Sequence, residues 1–191
     1  MYKRFNEWSK KGKWLLLFKK LVSEPDTEWE FIDGSYVKAH QHSAGARGSD
    51  SQAIGKSRAG NTTKIHLAVD GDGLPIEFTV TGGEVNYGTA ASEFIEPLPP
   101  AKAVVADKGY DSERIREQIK NKGATAVIPR RSNSVIGNAD MDGSLYRHRH
   151  LVKNAIARLK HFRGLATRYD KFKRNYQSGV AMACGFLWLP M

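Results

Sequence analysis

Two short runs of strand-forming residues, each meeting an aspartate, constrain the fold of this 191-residue chain more than any other feature. Residues 29–37 are rich in β-formers and contain Asp33, so they read as a first strand ending near that carboxylate. Residues 103–106 are apolar throughout and read as a buried strand that delivers Asp107 at its C-terminal end. Between them residues 62–69 alternate, Asp70-Gly71-Asp72-Gly73 makes a turn, and residues 76–81 alternate again, which is a hairpin. Three meandering strands therefore come first. A short helix over residues 89–96, stopped by Pro97, separates them from the fourth.

Asp111 is placed to N-cap a helix running to Lys120, with Gly123 ending it. Residues 125–128 form a further strand closed by Pro129, and residues 130–144 an irregular loop. Residues 145–160 are helical by the spacing of Leu151, Val152, Ile156 and Leu159. Residues 43–61 are Gly, Ser, Ala and polar without period, a loop or flap. The apolar stretch 179–191 is too short to span a bilayer and reads as a core-packing helix. Three antiparallel strands, helix, strand, helix, strand, loop and helix is the order of a ribonuclease H-like domain, an α/β fold with a mixed sheet flanked by helices. It is expected over residues 25–191, behind a basic helical segment over residues 1–24.

Charge narrows the partner. A formal charge of +10 favours polyanions, since Lys and Arg that neutralise phosphates release condensed counterions. Lys3, Arg4, Lys10, Lys11, Lys13, Lys19 and Lys20 face only Glu7 in the first 21 residues, interleaved with Phe5, Trp8, Trp14 and leucines, as in a basic amphipathic helix or helix pair. Residues 147–174 form a second basic block whose only carboxylate is Asp170, expected to pair with local cations. Cys184 is the only cysteine, which excludes an intrachain disulfide and a zinc ribbon. The N-terminus lacks the apolar core of a signal peptide, and a cytoplasmic, nucleoid-associated protein without membrane contact is expected.

Paired carboxylates at strand ends suit phosphoryl transfer. A two-metal site holds two Mg²⁺ about 3.5 to 4 Å apart, one activating the attacking oxygen and one stabilising the leaving oxygen. Asp33 and Asp107 converge if their strands are neighbours, as they are in a ribonuclease H-like sheet. A third carboxylate must then come from the C-terminal helix.

Stretches spread along the whole chain carry a resemblance. They are residues 2–9, Phe31-Ile32-Asp33-Gly34-Ser35, Ala39-His40-Gln41-His42, Thr63-Lys64-Ile65-His66-Leu67, Ala106-Asp107-Lys108-Gly109-Tyr110-Asp111, Ile128-Pro129 and Arg163 to Lys171, which includes Ala166-Thr167-Arg168-Tyr169-Asp170-Lys171. With them the chain resembles the catalytic half of an insertion-sequence-five family transposase with an Asp-Asp-Glu active site. Lys38 stands where relatives more often have arginine, which keeps the charge. The resemblance implies Asp33 and Asp107 as metal ligands for Mg²⁺ or Mn²⁺, Arg149 and Lys160 at DNA phosphates near the scissile bond, and Tyr146 supporting the same surface. It also implies duplex DNA, both element ends and target, as partner, a homo-oligomer on DNA, and an upstream DNA-binding segment that can be encoded in an overlapping frame.

The family's Tyr-Arg-Glu-Lys spacing is met by Tyr146, Arg149 and Lys160, but its third acidic ligand is Lys153. An ammonium has three N–H donors and no acceptor, so it does not ligate magnesium. No glutamate follows Glu117; Asp140 and Asp142 lie in the preceding loop as weak substitutes. Two functions follow: an enzyme of DNA strand cleavage and strand transfer impaired at position 153, or a decayed or repurposed DNA-binding protein of the same fold. Other signals are bland. Gly55-Lys56-Ser57 lacks the first glycine of a phosphate loop, with Asp50 in its place. Asp70 and Asp72 read as turn formers, the pairs His40/His42 and His148/His150 as surface or DNA-proximal residues, and Trp8 and Trp14 as core.

Overall fold

An 11-residue strand, β1 (Trp29–Ala39), is the axis of the sheet. The computed structural model describes residues 2–46 and 52–189. The N-terminal basic segment is a helix pair, α1 (Tyr2–Lys10) and α2 (Lys13–Leu21). After β1 come β2 (Gly55–Ser57), β3 (Gly60–Val69), β4 (Pro75–Gly82), α3 (Tyr87–Ile95), β5 (Ala103–Ala106), α4 (Glu113–Asn121) and β6 (Thr125–Val127). The chain ends with α5 (Gly143–Arg147), α6 (His150–Lys160), α7 (Arg163–Ala166), β7 (Thr167–Arg168) and α8 (Lys173–Leu187).

The sheet runs β2-β3-β1-β5-β6, with β4 beside β3 on the same side as β2, further along the strand, and β7 on the end of β1. β1, β3 and β4 are antiparallel, while β5 and β6 lie parallel to β1, which is the mixed sheet expected. Each face buries its own cluster because side chains alternate along a strand. Phe31, Val37, Leu67 and Val105 meet Val152, Ala155 and Leu159 of α6 and the apolar side of α8. Ile32, Ala68, Val104 and Ala106 meet Ala91, Phe94 and Ile95 of α3 and Ile115 and Ile119 of α4. The spacings 115/119 and 152/155/159 are the helical i, i+3, i+4, i+7 pattern that puts apolar groups on one face. Gly185 of α8 lets α2 approach closely: a Cβ there would sit 2.9 Å from Leu21 Cδ1. Among the described residues no helix is long and apolar enough to cross a membrane.

Several sequence expectations need correction. β1 does not end near Asp33 but continues to Ala39, because it pairs with β3 without a break from Phe31–Val69 to Lys38–Thr62. Part of the expected 43–61 loop is the short strand β2, paired to the start of β3; residues 47–51 of that loop lie outside the described residues. Asp111 does not cap α4. Ser112 holds that position, and Asp111 instead accepts from Arg116 Nη2 and from the Arg131 N–H, both at 2.8 Å. The same Arg116 nitrogen donates to the Ile128 carbonyl, so the ion pair fastens α4 to the end of β6. The helix expected over 145–160 is two helices, α5 and α6, joined at His148–Arg149. The last helix begins before residue 179, at Lys173, and stops at Leu187.

Candidate active site

The register of β1 and β5 brings the two aspartates together. Their last parallel pair is Ile32–Ala106, and the next residue on each strand is Asp33 or Asp107. Parallel pairing ends there, so both carboxylates lie where β5 leaves the sheet. Asp107 enters a one-turn helix, Lys108–Tyr110, and its Oδ1 accepts the Gly109 N–H at 2.7 Å. Asp33 Oδ1 accepts the Gly34 N–H at 2.8 Å, and its Oδ2 accepts from Arg149 Nη2 at 3.3 Å.

Arg149 occupies the joint between α5 and α6, which frees its side chain to turn inward from the helix start. Its Nη1 donates to the Tyr146 hydroxyl at 2.8 Å, and its guanidinium lies 5.6 Å from the Tyr146 ring centroid. Lys153 follows one turn along α6, exposed, with its charge acting on Asp33. Lys160, two turns further, donates to the Tyr36 carbonyl of β1 at 3.4 Å. The spacing 149/153/160 puts all three cations along one helix side, and the structure brings Tyr146, Arg149, Lys153 and Lys160 to the sheet edge that carries Asp33.

Burial raises the Asp33 carboxyl above the ordinary aspartate value, with Arg149 opposing most strongly; the Gly34 N–H and Lys153 also oppose, and Asp107 adds to the rise. Burial works against the Arg149 guanidinium, but Asp33 and Tyr146 outweigh it and its pKa rises. Two carboxylates and two cations thus share one corner of the sheet. Among the described residues no three His, Cys, Asp or Glu side chains converge as a metal cluster. Asp142 caps α5, accepting the Ser144 and Leu145 N–H groups at 2.9 Å each, and so is committed to local structure.

A buried polar layer under the aspartates was not legible as part of a site. A Cβ on Gly34 would lie 2.5 Å from Tyr87 Cε1 and 3.3 Å from the Tyr110 hydroxyl, so glycine lets both rings come up beneath Asp33. Tyr110 is fully buried and its hydroxyl is 3.0 Å from His66 Nδ1, while His66 Nε2 is 3.2 Å from the Thr81 hydroxyl. Lys64, also buried, donates to the Val85 carbonyl at 2.6 Å and lies 4.1 Å from the Tyr87 centroid. Burial and the Lys64 charge push His66 down to about 4, and burial raises the Tyr87 hydroxyl to about 12. The stretches 63–67 and 106–111 of the resemblance contain Lys64, His66 and Tyr110, without a role, and no stretch of it contains Tyr87 or Thr81.

Residues 30–186 match the family described as the transposase DDE domain. The chain belongs to this family of insertion-sequence transposases. A protein named as a transposase for insertion sequence element IS6501 of Brucella ovis is 34% identical over 132 residues, covering 67% of this chain and 98% of that protein. Another, for IS402 of Burkholderia cepacia, is 31% identical over 138 residues, covering 66% of this chain and 63% of that protein. The structure is similar to that of piggyBac transposase in a synaptic complex with hairpin DNA, with TM-score 0.59 at 13% identity, over 93% of this chain and 50% of that one. That likeness speaks to the fold alone, and with the sheet order it makes this a ribonuclease H-like domain. By family the chain is an enzyme.

Proposed function

We propose that this transposase domain binds duplex DNA through the surface around Asp33 and Asp107, and that Lys153 disables the strand cleavage and strand transfer its family membership suggests. The observation that carries the reading is the adjacency of the two aspartates at the end of the β1–β5 pairing, with Lys153 one turn beyond the arginine that contacts Asp33. The donor set fits a hard cation in part. Asp33 and Asp107 offer carboxylate oxygens of the kind Mg²⁺ or Mn²⁺ prefers, and Asp107 Oδ2 accepts no hydrogen bond among the described residues. Position 153 would have completed the set, and a lysine offers it nothing. Bound there, the ions of a two-metal site would activate the attacking oxygen and stabilise the leaving one.

The residues of the chain divide the remaining work. Asp33 and Asp107 seat the cation. Arg149, held by Tyr146, and Lys160 present positive charge to the phosphates beside it. The +10 charge supports a DNA partner, with element ends and target DNA brought together by a homo-oligomer and an upstream segment supplying sequence readout. The second reading, a DNA-binding protein that has lost the chemistry, is favoured by Lys153 itself.

A strand-cleavage assay on this chain beside Lys153→Glu tests both. The expected outcome is near-inert native protein and a gain of at least about a hundredfold in the glutamate form, roughly 2.7 kcal/mol of barrier, abolished by Asp33→Ala or Asp107→Ala. Equal rates in the two forms would remove position 153 from the site. Affinity for duplex should fall steeply with salt, and Arg149→Ala with Lys160→Ala should flatten that slope; an unchanged slope takes both out of the DNA interface.

A further inference from the structure

Two stretches that the site around Asp33 leaves without a role, residues 39–42 and 166–171, are joined by the fold. β7 pairs in parallel with the end of β1, Lys38 against Thr167 and Ala39 against Arg168, and the His40 N–H donates to the Arg168 carbonyl at 2.9 Å. The rings of His42 and Tyr169 then each stack on His40 with centroids 4.8 Å away and planes tilted by 31°. His40 is half-buried, His42 is exposed, and Tyr169 is 48% exposed.

This stack is built rather than loosely laid on the surface. Arg168 is 0% exposed, and its guanidinium donates to the carbonyls of Ala53 and Asp170 at 3.0 Å each, to Lys171 at 3.4 Å and to the Thr63 hydroxyl at 2.8 Å. A buried guanidinium is costly unless its donors are met, and here they fix the backbone on both sides of Tyr169. On the other side, His40 Nδ1 accepts the His42 N–H at 3.3 Å, and the Ser43 hydroxyl donates to the His40 carbonyl at 2.6 Å. A pre-set aromatic group loses little freedom when a second flat ring stacks on it.

Its position is as informative as its construction. β1 pairs with β5 up to Ile32 and with β7 from Lys38, so on that side the strand from Asp33 to Val37 has no strand partner among the described residues. Asp33 stands at one end of this open edge and the stack just past the other, seven residues on, or ~23 Å at ~3.3 Å per residue. Lys160 reaches the edge at Tyr36, and Lys38 and Lys171 are exposed near the stack. The combination is a cationic track ending on an aromatic face, the arrangement that holds a nucleic acid strand by its phosphates and one base by its ring.

We infer that Tyr169, with His40 and His42 behind it, is a platform for an unpaired DNA base. A strand running along the open edge of β1 away from Asp33 stacks its first unpaired base on the exposed Tyr169 ring. The face has no hydrogen-bonding pattern to match, so any base is accepted, whereas bases paired and stacked inside a duplex have no free face to give. The platform rests on the reading of this chain as DNA-binding, and the experiment separates the two.

The probe is a 30-base-pair duplex, blunt or with a four-nucleotide single-stranded tail carrying 2-aminopurine, tested with each tail polarity by anisotropy and fluorescence on the full chain. The expected result is at least about fivefold tighter binding of one tailed form over blunt, with 2-aminopurine quenched. Tyr169→Ala should bring the tailed-to-blunt ratio near one and remove the quench, whereas Tyr169→Trp, which keeps a flat ring on the same scaffold, should retain both. Binding of blunt and tailed DNA with equal affinity and no quench overturns the platform while leaving the DNA reading intact. So does a ratio and quench that survive Tyr169→Ala. Binding of neither DNA sinks the DNA reading and the platform with it.

Discussion

Lys153→Glu should convert a weak cation site into a firm one, and heat can report it without any DNA. Position 153 is exposed, so charge interactions there are close to those in water: at ~6 Å and a dielectric near 80, two unit charges exchange about 0.7 kcal/mol. Exchanging an ammonium for a carboxylate beside a divalent ion changes the charge product by four units, about 2.8 kcal/mol, which is about a hundredfold in affinity. If Asp33 and Asp107 alone hold Mg²⁺ with a Kd of about 10 mM, then 10 mM Mg²⁺ adds about 0.4 kcal/mol to the unfolding free energy of the native chain. The glutamate form, with a Kd of about 0.1 mM, gains about 2.7 kcal/mol. For a chain of this size that is a rise in Tm of about 1 to 2 °C against about 5 to 10 °C. Scanning calorimetry in MgCl2 against KCl of equal ionic strength measures both. Equal shifts in the two proteins, or a large shift that survives Asp33→Ala, would refute the assignment of position 153 to the cation site.

Arg168→Met should cost about 3 kcal/mol in urea unfolding, since it takes the guanidinium donors from the part-buried Asp170 and Lys171 carbonyls, while the Ala53 carbonyl and the Thr63 hydroxyl keep each other; a change under about 1 kcal/mol would show that the Asp170 and Lys171 carbonyls re-pair. Glu30 is buried with neither carboxylate oxygen hydrogen-bonded, and burial, opposed by Lys122, pushes its pKa up to about 7. The folded state therefore favours the protonated acid: its contribution is complete below the unfolded value near 4.5 and is lost as pH rises through 7, by about 3 kcal/mol. Glu30→Gln should be more stable relative to the native chain at pH 8 than at pH 5 by about that amount, and a pH-independent difference would count against a buried, neutral Glu30. Gly34→Ala should lose about 1 to 3 kcal/mol, because the added methyl meets Tyr87 at 2.5 Å; calorimetry showing no loss would mean that the ring moves freely.

Elements with a clear period were legible and those held by tertiary contacts were not. β5 has the bounds expected from four apolar residues in a row, and α6 falls within the helix expected from the spacing of Leu151, Val152, Ile156 and Leu159, though it buries Ala155 rather than Leu151 or Ile156. The pairing of Asp33 with Asp107 followed once their strands were placed side by side. The first strand was expected to end near Asp33, yet eight consecutive cross-strand pairs with β3 carry β1 straight past it. β2 has no apolar pattern and exists because Gly60, at φ +87°, turns the chain into β3. The layer of Lys64, His66 and Tyr110 was invisible for a related reason. Alternation assigns polar residues to water, and only the folded chain supplies the Val85 carbonyl and Thr81 hydroxyl that let them go inside.

The same charges imply an opposite sign when metal is withheld. Without a cation, Asp33, Asp107 and Arg149 leave one net negative charge in the corner, which Lys153 neutralises. A glutamate there makes the corner more negative, and replacing +1 by −1 against one net charge at ~6 Å costs about 1.4 kcal/mol in a water-like medium. Under the proposed function the lysine is thus a stabilising residue where a ligand carboxylate would be a destabilising one, the trade between stability and activity expected where chemistry needs uncompensated charge. In EDTA the native chain should outlast Lys153→Glu by about 1.4 kcal/mol, some 3 to 5 °C in Tm. In 10 mM Mg²⁺ the gains worked out above, about 2.7 against about 0.4 kcal/mol, should reverse the order by about 1 kcal/mol. Calorimetry of the two proteins in both buffers tests this crossing. A glutamate form that is the more stable protein in EDTA would mean that Lys153 does not balance the aspartate pair.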